Sequence, residues 1–139
     1  MPTYDAAAVA RLDRHYSTPQ IVDQRTRFRA AVAARPGERG LDVGCGAGHL
    51  ACELAREVAT GGRIDAVDRS RDSVDASNAR VAREKLAGIV EVRAGDAASL
   101  DFPDESFDFV VGTQVYCYMP DVARAYRKLR VCCAKAVAC

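Results

Sequence analysis

Residues 41–50, Leu-Asp-Val-Gly-Cys-Gly-Ala-Gly-His-Leu, constrain this chain more than any other stretch. A short apolar run leads into three alternating glycines, Gly44, Gly46 and Gly48, and then into a helical pattern. A strand that ends in such a turn and feeds a helix builds a nucleotide-sized cradle. Without a Cβ the backbone reaches positive φ, and a ligand can approach the main chain closely. The helix behind the turn offers N–H groups that have no intrahelical partner. The spacing also argues against a dinucleotide-binding turn, which reads Gly-x-Gly-x-x-Gly. Here the third glycine arrives one place early, and His49 stands in the slot that pattern needs for glycine.

The flanking sequence alternates helical and strand patterns. Residues 5–16 read as a helix with an apolar face. Thr18-Pro19 reads as N-cap and first turn of a second helix ending near Ala34. Strands are expected at 39–43, 63–68, 89–94 and 107–112. Helices are expected at 48–59, from Ser70 to about Leu86, and from about Asp121 onward, where Val122, Ala125, Tyr126 and Leu129 recur at helical spacing. The 139 residues suffice for one domain. The alternation predicts an α/β domain with a doubly wound, mostly parallel sheet and right-handed crossovers. Ligands of such sheets bind beyond the carboxyl ends of the strands, at the switch point. Gly44, Gly46, Gly48, Asp68 and Asp96 all fall at those ends.

Composition narrows the function. The net charge is +1, which gives no electrostatic case for nucleic acid or an anionic membrane surface. No apolar run approaches the roughly 20 residues that span a bilayer, and Met1-Pro2-Thr3-Tyr4-Asp5 does not read as a signal peptide. The expected compartment is therefore the cytoplasm. Cys45, Cys52 and Cys117 read as small buried hydrophobes. Cys132, Cys133 and Cys139 match no zinc spacing, so no metal is expected.

Asp68 closes the second strand. A carboxylate there can accept from both ribose hydroxyls of a nucleoside lying across the glycine turn; the alternative is a cap on the next helix. Gly95-Asp96-Ala97 ends the third strand. Its Asp side chain can accept from an adenine amine while the next N–H meets a ring nitrogen; the alternative is an ordinary turn.

The strand Phe107-Asp108-Phe109-Val110-Val111 and the Gly112-Thr113-Gln114 that follows complete a pattern. From Leu41 to about Leu129 the chain resembles a class I S-adenosylmethionine (SAM)-dependent methyltransferase domain, of the type 11 group that includes ubiquinone/menaquinone methyltransferases. The resemblance implies a Rossmann-like fold with SAM as cofactor and a small-molecule methyl acceptor. It implies that Gly44, Gly46 and Gly48 surround the methionine end of SAM, with Asp42 also among the cofactor-binding residues. Asp68 would meet the ribose, with the adjacent Arg69 also cofactor-binding, Asp96 and Ala97 would meet the adenine, and Gln114 would border the site of methyl transfer. Residues 1–36 would form a helical lid in which Tyr16 and Arg25 reach the methionine carboxylate, unless they lie on a solvated face. His15 and His49 are candidate bases or simply packed or surface residues. No catalytic residue is nominated. A sulfonium methyl is already activated, so the protein would mainly align the reactants and exclude water. Two other readings remain: a non-catalytic SAM- or partner-binding remnant, and a nicotinamide dehydrogenase, which His49 disfavours.

The resemblance breaks after about residue 130. The family continues with a glycine turn and further strands, whereas residues 131–139 read Val-Cys-Cys-Ala-Lys-Ala-Val-Ala-Cys. Plausible codons for this tail, read two bases later, restore family-like text. The expectation is a truncated or frameshifted domain: a 37–130 core of about four strands with an aberrant tail. Strand four would then be an exposed apolar edge, open to aggregation or to pairing with a second copy.

Overall fold

The computed structural model describes residues 4–113, 115 and 119–138, the last five as backbone. Two helices precede the sheet. In α1 (Ala6–Tyr16), Asp5 accepts from the Ala8 N–H at 2.8 Å and so satisfies an orphan donor of the first turn. In α2 (Pro19–Val32), Thr18 holds the N-cap position, but its hydroxyl donates to the His15 carbonyl at 2.8 Å. The start of α2 therefore rests on Pro19, whose ring presets the helical φ. No residue of α2 is fully buried. Ion pairs hold it to α3 (His49–Val58): Arg25 and Arg29 lie 2.9 and 3.0 Å from Glu53, and Arg29 also pairs with Glu57.

The remaining elements are β1 (Arg39–Val43), β2 (Arg63–Asp68), α4 (Arg71–Arg83), β3 (Val90–Ala94), β4 (Phe107–Val111), α5 (Val122–Cys132) and β5 (Cys133–Ala138). The strands form one sheet in the order β3-β2-β1-β4-β5, and every pairing is parallel. The α/β class and the parallel sheet are as expected. The order reverses between β1 and β4, so the crevice for a ligand lies above their carboxyl ends. One apolar cluster packs α3 and α4 on the sheet through Leu50, Leu54, Val58, Ile64 and, from α4, Val81. The other packs α5 on the opposite face through Leu41, Val43, Val110 and Leu129.

The tail departs from expectation. Residues 133–138 add a fifth strand to the roughly four expected, and β4 is interior rather than an open edge. Val110 pairs with Val137 and Val111 with Ala138, after a one-residue bulge between Cys133 and Ala136. Small and β-branched residues suffice to line up beside β4, whatever their relation to the family text. The chain passes from α5 into β5 without a loop. Pairing of two copies through β4 thus loses its premise.

Beside α5, an ion cluster covers the start of the same face. Asp65 is buried on β2, and Arg39 and Arg63 each reach it at 3.3 Å. Arg39 and Arg93 also lie over the rings of Phe107 and Phe102, at 5.1 and 4.3 Å. Among the described residues no helix is long and apolar enough to cross a membrane.

Candidate functional site

The glycine turn is fastened to β2 before any ligand is considered. Gly44 and Cys45 both donate to the Val67 carbonyl, at 2.8 and 3.0 Å. Asp68 completes the splint. Its Oδ2 accepts from the Gly46 N–H at 2.9 Å, and its Oδ1 accepts from the Ser70 N–H at 2.8 Å. The capping alternative for Asp68 is settled by Ser70, whose own hydroxyl accepts from the Ser73 N–H at the start of α4. The same hydroxyl donates to the Tyr4 carbonyl at 2.8 Å, tying the segment before α1 to the site. Each oxygen of Asp68 keeps a lone pair for a further donor.

Above this turn lies a cavity of about 430 Å³, between the strand ends and α1. Gly44, Gly46, Asp68, Arg69 and Ala97 line it from the sheet, and Tyr16 closes it from the lid. A second cavity of about 230 Å³ adjoins it across Gly46 and Tyr16 and is walled by Ile21, Arg25, Phe28 and His49. Gly46, at φ +54°, faces this space, and a Cβ there would meet nothing within 4 Å. Gly48, at φ +79°, is packed instead: a Cβ would come 2.4 Å from Ser77 Oγ and 3.3 Å from its Cα on α4.

Most expected site residues are thus brought together, and four deserve separate placement. Asp42 lies beneath the turn rather than in the wall of either cavity. It is 1% exposed, and its carboxyl takes a hydrogen bond from the backbone of Ala51 in the first turn of α3. Its Oδ2 has no partner. Burial first, and then the charge of Asp68, push this carboxyl up to about 7. Arg25 reaches only the second cavity, with Nε and Nη2 on Glu53 and Nη1 donating to the Tyr16 carbonyl. Two of its five N–H groups remain. Asp96 is exposed, and its Oδ1 accepts from the Ala98 N–H at 2.9 Å in a local turn outside the cavity wall. Gln114 lies outside the described residues.

The candidate bases have other partners. His15 is exposed beside Tyr16. His49 Nε2 lies 2.7 Å from Asp13 Oδ1, and Arg80 Nη2 reaches the same oxygen at 2.6 Å. Arg80 Nη2 also lies 3.0 Å from His49 Nε2, so the three side chains form one cluster. Partial burial, reinforced by the Arg80 guanidinium, holds His49 below its usual range. Arg80 also donates through Nε to the Ala47 carbonyl at 2.8 Å. The cluster therefore latches α1 to the glycine turn and to α4. Its members are far apart in sequence, and only the lid pattern hinted at it. Replacing Arg80 by methionine is expected to lower stability by about 1–2 kcal/mol in urea unfolding, since a well-buried hydrogen-bonded charge is lost. Amide exchange should rise more in α1 than in α3. Unchanged α1 protection would remove the latch from this account.

Cys45 is buried within the turn. Burial, with the charges of Asp42 and Asp68, raises its thiol well above the ordinary value and disfavours the reactive thiolate. Among the described residues no His, Cys, Asp and Glu group is placed to hold a metal. The site is thus a backbone cradle with one carboxylate in its wall, Asp68, an apolar side formed by Val67 and Ala97, and an aromatic lid residue. That donor set fits a nucleoside bearing a positive charge and does not offer a pyrophosphate any cluster of cations.

Comparison with known proteins agrees. Residues 41–136 match the methyltransferase-domain family. The chain is 35% identical over 98 residues to a 2-phytyl-1,4-naphtoquinone methyltransferase of Synechococcus elongatus, covering 70% of this chain and 42% of the relative. It is 40% identical over 106 residues to nocamycin O-methyltransferase of Saccharothrix syringae, covering 74% and 38%. The chain thus spans about two fifths of the length of these relatives. Among solved structures, a SAM-dependent methyltransferase from Aquifex aeolicus superposes with a TM-score of 0.80 at 21% identity, over 94% of this chain and 68% of that one.

Proposed function

The chain belongs to the class I SAM-dependent methyltransferase family, and from that premise we propose that it binds SAM in the 430 Å³ cavity. We further propose that it serves methyl transfer to a small-molecule acceptor in a cytoplasmic setting. The observation that carries this reading is the meeting of Asp68, Gly46, Ala97 and Tyr16 around one cavity at the switch point. In this reading the spare lone pairs of Asp68 accept from the ribose hydroxyls. The turn through Gly44 and Gly46 lies along the methionine portion, with Gly48 and Asp42 supporting it from below. Arg69 flanks the ribose. Ala97 packs on the adenine and offers its backbone N–H, while Asp96 turns outward unless its local bond to Ala98 opens. Arg25 addresses the methionine carboxylate with its two remaining N–H groups, and Gln114 borders the acceptor. When bound, the cofactor supplies an electrophilic methyl group on a positively charged sulfur. The lid residues Leu12 and Tyr16 exclude water from it, and the splinted turn orients it.

Calorimetric titration with S-adenosylhomocysteine (SAH) tests the reading, with NADH as control. Saturable SAH binding and no NADH binding are expected. Asp68→Ala should weaken SAH at least tenfold, since it removes the ribose acceptor and the splint on Gly46 together. An equally tight Asp68→Ala variant, or preference for NADH, would overturn the reading.

A further inference from the structure

Asp42 has a charge environment that the proposed cofactor site does not explain by shape alone. It sits on β1, paired with Ala66 of β2 and Val111 of β4, neither of which titrates. From the end of β2 comes the charge of Asp68, and from the turn comes the neutral thiol of Cys45. From α3 comes only the Ala51 N–H. Two carboxyls therefore flank one glycine turn, Asp42 beneath it and Asp68 in the cavity wall, and Asp42 Oδ2 is buried with no partner. Arg69, the cation of the cavity wall, is exposed at its rim. Like charges in a low-dielectric site cannot both be borne cheaply, so one carboxyl keeps a proton until a cation arrives.

We propose that Asp42 is a charge-sensing positioning residue: its carboxyl gives up a proton when a cation enters the cavity above, which favours SAM over its neutral-sulfur product SAH. The inference rests on the proposed SAM site. The step is a single ionisation. The O–H bond of Asp42 breaks, the electron pair stays on Oδ2, and the proton passes to solvent. SAM carries a sulfonium charge that SAH lacks, while their ammonium and carboxylate groups are the same. Proton release should therefore be larger for SAM, and the ratio of SAM to SAH affinity should rise with pH through the neutral range. The carboxyl is pushed up to about 7 in the free protein, which places the window. His49 is held below its usual 6.5 by burial and the Arg80 guanidinium.

The test is calorimetric titration of the full chain with SAM and with SAH at pH 7, in phosphate and in Tris, whose protonation enthalpies differ. The wild type should release up to about half a proton per SAM, since a group with its midpoint at pH 7 is half protonated there, and less per SAH. Between pH 6.5 and 8.0 the affinity ratio should rise several-fold. Asp42→Asn keeps an oxygen for the Ala51 N–H and should show neither the extra release nor the rise. Carbon-13 NMR of the aspartate carboxyls answers the same question without a variant. One resonance should titrate near neutrality in the free protein and be ionised with SAM. Binding of SAM without extra proton release, or with the same release in Asp42→Asn, overturns this inference alone. Failure of a folded wild type to bind either compound overturns the proposed site itself.

Discussion

Replacing Gly48 by alanine is expected to destabilise the protein by about 2–4 kcal/mol, whereas Gly46→Ala should cost only about 1 kcal/mol yet abolish most cofactor binding. Both glycines have positive φ, +79° and +54°, so each alanine carries a backbone strain of about 1–2 kcal/mol at most. The difference lies in what the new methyl group meets. At Gly48 the Ser77 hydroxyl can swing aside, but Ser77 Cβ at 3.2 Å and Cα at 3.3 Å belong to the buried face of α4, which cannot. α4 must shift, and close-packed interiors resist such shifts. At Gly46 the methyl enters open space, and that space is where two cavities join. Urea unfolding and SAH titration of both variants would separate stability from binding. Equal destabilisation by the two, or normal SAH affinity in Gly46→Ala, would contradict the geometry described for the turn.

The same contrast shows what could be read in advance. Glycines two residues apart at a strand end declare a turn, because backbone conformation is a property of the residue itself. Asp68 was legible for a similar reason: a carboxylate at the next strand's end must lie near that turn in any parallel sheet. Which glycine is packed and which is open depends on Ser77, almost thirty residues away, and no local pattern states it. The Asp13–His49–Arg80 latch joins three helices and was invisible on the same ground, so His49 read as a candidate base. The open edge at β4 was misread for a different reason. The tail departs from the family text, but pairing beside β4 asks only for small or β-branched residues in extended conformation, which Ala136, Val137 and Ala138 satisfy. Asp42 was placed near the cofactor by pattern, but its burial beneath the turn and its orphaned oxygen required the packing of α3 on β1.

That burial makes Asp42→Asn a stabilising substitution at neutral and alkaline pH. The carboxyl ionises at 3.8 when unfolded and at about 7 when folded. Because the folded value is raised, the protonated form favours the fold. The stability Asp42 contributes is complete below pH 3.8, falls progressively as pH rises, and is lost once pH passes about 7. Moving an ionisation that far corresponds to about 4 kcal/mol. An asparagine avoids this loss but buries an amide N–H₂ beside Asp68, so the net gain at pH 8 should be about 2–4 kcal/mol. At pH 4 variant and wild type should differ little, since both then present a neutral group to the same surroundings. Denaturant unfolding of the two proteins at pH 4, 6 and 8 reads this directly. The difference should grow between the first two and level off above pH 7. A constant difference across the range, or a variant less stable at pH 8, would show that Asp42 bears its charge without strain. The two carboxyls flanking the turn would then have no consequence for folding. If the difference grows as expected, the fold carries at Asp42 a charge that is destabilising unless a proton or a cation in the cavity relieves it, which is how a binding site retains a residue that stability alone would replace.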